Sequence, residues 1–169
     1  MAGGRFGLII ASYRYEHPAL RQLVAPPHDA EALAAALRDP DIGGFDVRTV
    51  INRPKNEVER LIEQFFTDRH REDLLVLYFS GHGLKDDAGR LFLAMPDTEL
   101  KLLNATAVPA GFIQQAIEGT RSRQTMLVLD CCYSGAFSRG MTAKADSAVH
   151  TPDRFAATGS VVLTASDAL

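Results

Sequence analysis

Two short stretches of this sequence hold the residue types that nucleophilic acyl transfer needs. Ser80-Gly81-His82-Gly83 sets an imidazole between two glycines, and Asp130-Cys131-Cys132-Tyr133-Ser134-Gly135 carries both cysteines of the chain. A thiol becomes a strong nucleophile once a base takes its proton, and imidazole is the side chain best matched to that exchange near neutral pH. The glycines allow the backbone beside His82 to turn sharply and approach a substrate closely. If the two stretches end neighbouring strands, His82 and one cysteine face each other across a shared crevice. Which cysteine it is stays open here, because adjacent strand residues point to opposite faces and one of the pair must enter the sheet. A disulfide between adjacent residues would be strained, so both read as thiols. His17, His28, His70 and His150 lack glycine flanks at a strand end and read as bystanders.

Short β-rich apolar runs recur at Phe6 to Ala11, Val47 to Ile51, Leu74 to Phe79, Met126 to Leu129 and Val161 to Thr164, and they read as buried strands. Between them, His28 to Arg38 and Asn56 to Phe66 repeat apolar residues at helical spacing, with Ile113 to Ile117 marking a third helix. Asp29 or His28 after Pro26-Pro27, and Asn56 after Pro54, suit helix starts. Strands alternating with helices imply parallel pairing through right-handed crossovers, hence an α/β fold: a three-layer α/β/α sandwich on a mostly parallel sheet. Ligand sites in such sheets lie beyond the carboxyl ends of the strands, where both chemical stretches fall. Gly83 to Asn104 is long for a strand-to-helix link and holds a candidate hairpin through Leu91 to Ala94, while Ser134 to Gly159 reads as a flexible loop.

Composition narrows the function classes. The 169 residues, 46% of them apolar, fit one globular domain spanning 1–169 that builds its core without structural metal or disulfides. Eighteen basic against twenty-one acidic residues give a net charge of -3, with no dense basic run, so neither nucleic acid nor an anionic membrane is an expected partner. No secretory leader or membrane-length apolar run is visible, and the chain reads as cytoplasmic. Paired cysteines or histidines at zinc-ligand spacing are absent.

Tyr78-Phe79-Ser80-Gly81-His82-Gly83 and Leu129-Asp130-Cys131-Cys132-Tyr133-Ser134-Gly135 resemble the histidine and cysteine signatures of caspase-like peptidases, metacaspases above all. The histidine precedes the cysteine by about 50 residues, as in caspases. The resemblance extends from Phe6 to the end and is similar to bacterial caspase-like domains that accompany effector modules in defence or conflict systems. It implies Cys132 as nucleophile, His82 as general acid/base, and the N–H groups of Gly83 and Cys132 as the oxyanion hole. It also implies a primary pocket lined by Asp130, Ser80 and Asp29, and two carboxylates there favour an arginine or lysine side chain of a protein or peptide substrate. Pro26 stands where metacaspases often carry cysteine and caspases arginine, and a helix N-cap is the rival reading of Asp29.

Further expectations follow from the same likeness. Arg139, Lys144 and Arg154 offer self-processing sites in the loop after Gly135, and an effector partner or fused domain is expected. No cofactor is required. Calcium activation, frequent in metacaspases, would draw on Asp86, Asp87 and Asp97, whose spacing is not that of a dedicated calcium loop and reads as solvated turns. The chain stops just after a strand and reads as lacking the last stretch of such a domain. The rivals to a protease are a catalytically silent scaffold of the same fold and a different hydrolase or transferase on the same architecture.

Overall fold

The computed structural model describes residues 3–133 and 160–165. Residues 134–159, expected from the sequence as a loop and holding Ser134, Gly135, Arg139, Lys144 and Arg154, lie outside the described residues, as does Leu169. The apolar runs form β1 (Arg5–Ala11), β2 (Asp46–Ile51), β3 (Leu74–Lys85), β6 (Gln124–Tyr133) and β7 (Ser160–Ala165). Two short strands, β4 (Leu91–Leu93) and β5 (Val108–Pro109), come from the long link, and all seven share one sheet. The pairings β1–β2, β1–β3, β3–β6 and β6–β7 are parallel, whereas β3–β4 and β4–β5 are antiparallel. The sheet is therefore mixed although mostly parallel.

Helices cover both faces. Helix α1 (Ala25–Arg38) lies on one, where Ala30 and Ala34 are small enough to bring it against Ile9, Ala11, Val47 and Tyr78. Helix α2 (Lys55–Phe66) and helix α4 (Ala110–Gly119) cover the other, over Leu8, Leu75, Leu77, Phe79, Leu127, Leu129 and Cys131. In α2, Val58, Leu61, Ile62, Phe65 and Phe66 form one buried stripe, and each such side chain contributes about 1.5–3 kcal/mol relative to exposure. A one-turn helix, α3 (Leu103–Thr106), leads into β5. Among the described residues, no helix is long and apolar enough to cross a membrane.

Three boundaries depart from the pattern expectation. Helix α1 begins at Ala25 with Val24 in the cap position, so Asp29 lies inside the first turns and is no N-cap. Prolines fit there because the first helical N–H groups have no intrahelical acceptor. Pro54, not Asn56, precedes α2, and its first N–H, that of Lys55, is taken by Asp97 Oδ1 at 3.2 Å. Strand β3 continues six residues past Phe79, through Ser80-Gly81-His82-Gly83, so the histidine stretch is strand and not a turn.

Candidate active site

The extension of β3 is what places His82. Its parallel register with β6 runs from Leu74 opposite Gln124 to Gly83 opposite Tyr133, and sets His82 directly opposite Cys132. Ser80 is likewise opposite Asp130. Cys131 is buried among the residues beneath α2 and α4, which settles which cysteine enters the core. Position 132, one residue on, shares the strand phase of Asp130, and in β3 the same phase carries Tyr78, Ser80 and His82.

His82 is 7% exposed and is held from several sides. Its Nε2 lies 2.8 Å from the carbonyl oxygen of Arg21, in the segment between β1 and α1. A carbonyl can only accept, so Nε2 carries the hydrogen and the neutral ring keeps its lone pair on Nδ1. The tautomer is thus assigned by the hydrogen bond. The Tyr15 ring lies against the imidazole, with centroids 4.9 Å apart at 40°. Tyr15 Oη accepts the His82 backbone N–H at 3.1 Å and donates to the Ser12 carbonyl at 2.6 Å. Neither Tyr15 nor the Arg21 carbonyl is marked by the sequence motifs; the only signal is an aromatic residue just past a strand end.

The flanking glycines serve close approach rather than turning. A Cβ on Gly81 would fall 2.9 Å from the Ser12 carbonyl oxygen, and one on Gly83 would fall 3.1 Å from Cys131 Sγ. Gly83 stands opposite both Leu93 of β4 and Tyr133 of β6, so its N–H is that of a strand residue at the end of the ladder.

Of the three residues expected to line a pocket, Ser80 and Asp130 hydrogen-bond the Tyr78 hydroxyl, and Asp29 acts on it through its charge alone. Tyr78, 6% exposed, donates its hydroxyl to Asp130 Oδ2 at 3.0 Å. Burial pushes the Tyr78 phenol up to about 12; a hydrogen bond with Ser80 opposes this, and the charges of Asp130 and Asp29 add to it. Both carboxylates therefore act on one hydroxyl, and Tyr78 stays protonated across the physiological range. Ser80 is buried, Asp130 half-buried and Asp29 exposed on α1.

The acidic residues of the link do other work. Asp86 closes the β3–β4 turn by accepting from the N–H groups of Ala88 and Arg90 and from Arg90 Nε, and Asp97 holds the start of α2. They do not converge, and among the described residues no group of three or more His, Cys, Asp or Glu could hold a metal ion. This set does not fit a calcium site. A cavity of about 740 Å³, lined by Glu63, Phe66, His70, Phe112 and Arg121 among others, opens at the amino ends of β3 and β6, opposite to His82.

Comparison with known proteins bears on the fold and the family. Protein GSU0716 from Geobacter sulfurreducens, solved by crystallography, superposes with a TM-score of 0.61 at 18% identity, over 78% of this chain and 52% of its own. The chain thus spans about half the length of that solved structure, and the likeness is one of fold. No curated protein matches the chain. Residues 5–167 match the caspase domain of the C14 peptidases, and the chain accordingly belongs to that family of cysteine peptidases.

Proposed function

We propose that this domain is a Cys/His-dyad endopeptidase that cleaves protein substrates after arginine or lysine. The observation that carries the reading is the register of β3 and β6, which sets His82 opposite Cys132 on adjoining parallel strands at their carboxyl ends. Cys132 attacks the carbonyl carbon of the scissile bond as His82 Nδ1 takes the thiol proton. The proton then passes to the leaving amine, and water, deprotonated by the same nitrogen, releases the acyl group. The Arg21 carbonyl, fixed on Nε2, keeps the ring oriented through both transfers and accepts a stronger, charge-assisted bond when the imidazolium forms.

Asp130 and Asp29, with Ser80, supply the anionic pocket for a basic side chain, and their shared action on Tyr78 supports that role. As the resemblance implies, the N–H groups of Gly83 and Cys132, at the carboxyl ends of β3 and β6, serve as the oxyanion donors. The resemblance to metacaspases supports limited proteolysis in a cytoplasmic bacterial defence or cell-death pathway, from a zymogen that processes itself and alongside an effector partner.

Fluorogenic peptides ending in Arg, Lys or Asp test this. Expected is hydrolysis after Arg and Lys that is abolished in Cys132→Ala and His82→Ala and retained in Cys131→Ala. Cleavage that survives Cys132→Ala overturns the nucleophile, and a preference for Asp overturns the pocket. Absence of hydrolysis under all conditions, calcium included, favours the silent scaffold.

A further inference from the structure

The β1–β3 ladder ends in an unusual way. Paired positions stop at Ala11 opposite Ser80, and the last bond runs from Ser12 N–H to the Ser80 carbonyl. The next carbonyl on that edge of β3, that of His82, is taken by Ala94 N–H as β4 continues the sheet. The His82 N–H lies beyond the end of β1, and the group that takes it is the Tyr15 hydroxyl, itself bonded to the Ser12 carbonyl. A phenol oxygen thus stands between a carbonyl of one strand and an amide of the next, where a ladder bond would otherwise run. Gly81 leaves room for this arrangement, since a Cβ there would fall 2.7 Å from Phe79 Cζ, 2.9 Å from the Ser12 carbonyl oxygen and 3.1 Å from Tyr15 Oη. Tyr15 is in turn pinned by Gln22, whose Oε1 accepts the Tyr15 N–H at 3.1 Å and whose Nε2 donates to the Tyr15 carbonyl at 2.9 Å.

Resting on the reading of His82 as general acid/base, we propose that Tyr15 is a positioning residue for it: the hydroxyl completes the β1–β3 ladder at His82, the ring backs the imidazole, and Gly81 is small so that the phenol can enter. Burial raises the Tyr15 pKa above the ordinary tyrosine value, its bonds with His82 and Ser12 lower it, and the nearby Cys131 raises it. The hydroxyl therefore remains a donor to Ser12 throughout the range in which a Cys/His pair works. Among the described residues, His82 and Cys131 are the titratable groups that act on it.

The test is alkylation by iodoacetamide across pH, with Cys132 resolved from Cys131 by fragmentation mass spectrometry, because it reads thiol–imidazole pairing without needing a substrate. Wild-type Cys132 is expected to react well below the ordinary thiol pKa of about 8.5, and His82→Ala to lose that low-pH reactivity. Tyr15→Phe keeps the ring and removes only the hydroxyl. Its low-pH rate should fall about three- to tenfold, as the loss of one hydrogen bond implies, and rejoin wild type at high pH with Cys131 still protected. A Tyr15→Phe profile that overlays wild type while His82→Ala flattens it overturns the proposal. A wild-type profile of an ordinary thiol, unchanged by His82→Ala, overturns the dyad itself and the proposal with it. Should Tyr15→Phe expose Cys131, Gln22→Ala, which loosens Tyr15 without removing it, is read by the same criteria.

Discussion

The two carboxylates of the proposed pocket are unequal, and Asp130→Asn against Asp29→Asn measures by how much. Asp130 is half-buried on β6 and already accepts a phenol hydroxyl at 3.0 Å, so a substrate guanidinium meets an oriented, partly desolvated anion. A hydrogen bond to such a charged group is worth about 1.5–3 kcal/mol. Its loss should lower kcat/KM for an arginine substrate by about 10- to 150-fold. Asparagine keeps an oxygen for Tyr78, which limits the change to charge. Asp29 is exposed on α1, where an ion pair is worth about 0–1 kcal/mol, so Asp29→Asn should cost at most about fivefold. The assay compares kcat/KM on matched peptides with Arg or Gln before the scissile bond. A readout free of catalysis is the ultraviolet titration of the Tyr78 phenol, taken as the difference from Tyr78→Phe. In Asp130→Asn its pKa should fall from about 12 yet stay above the ordinary value, because burial, the largest cause, remains. A larger loss in Asp29→Asn, or an Arg/Gln ratio untouched by Asp130→Asn, refutes the pocket as drawn.

Other consequences concern the scaffold. Burial pushes the Asp73 carboxyl up, but the N–H groups of His70 and Gly4, each at 2.8 Å, and the charges of His70 and Arg69 bring it below the ordinary aspartate range. A depressed folded-state pKa gives stability that is present above the unfolded value of about 4 and lost as pH falls through the folded one. Asp73→Asn should therefore lower the urea midpoint near neutrality and flatten its fall below pH of about 4, and an unchanged acid limb would contradict this. Phe92, 1% exposed beside Tyr15 and Leu20, should cost about 3–5 kcal/mol as Phe92→Ala and raise hydrogen exchange at His82. Gly83→Ala brings a methyl to 3.1 Å from Cys131 Sγ, so Cys131→Ala in the same chain should recover about 0.5 kcal/mol or more beyond additivity in denaturant unfolding.

Strand and helix positions were legible because period and composition agree there: Leu74 to Phe79 is an unbroken apolar run, and the buried stripe of α2 has helical spacing. The length of β3 was not legible. Ser80 and His82 are polar, and only the pairing with β6 and β4 on its two edges keeps the strand extended past Phe79. Strands β4 and β5 are three and two residues long, too short to show alternation, so the antiparallel part of the sheet was anticipated only as a hairpin. The pattern places the start of α1 after Pro26-Pro27, but the helix takes both prolines into its first turn, where no N–H donor is needed. Within the site, the motif residues His82, Cys132, Ser80 and Asp130 are brought together by strand register, which sequence spacing foreshadows. Tyr15 and the Arg21 carbonyl are invisible in it, since a backbone oxygen has no sequence signature and a tyrosine near a strand looks like core; Tyr78 stands within the histidine motif, but nothing there marks its bond to Asp130.

The glycines on either side of His82 carry the clearest link from sequence to chemistry. On a strand, positions 81 and 83 share the phase opposite to His82, so a Cβ at either would stand behind the imidazole-bearing backbone. One space is taken by the Phe79 ring, the Ser12 carbonyl and the Tyr15 hydroxyl, and the other by the Cys131 thiol. Flexibility is the usual reason to find glycine beside a reactive histidine, but here the backbone between Leu74 and Lys85 is held by neighbours along its length. On that face Cys131 packs against Gly83 within the β3–β6 pairing, and the same register sets position 132 opposite His82. A methyl group at position 83 therefore presses on the Cys131 thiol, on the face of the strand opposite to His82.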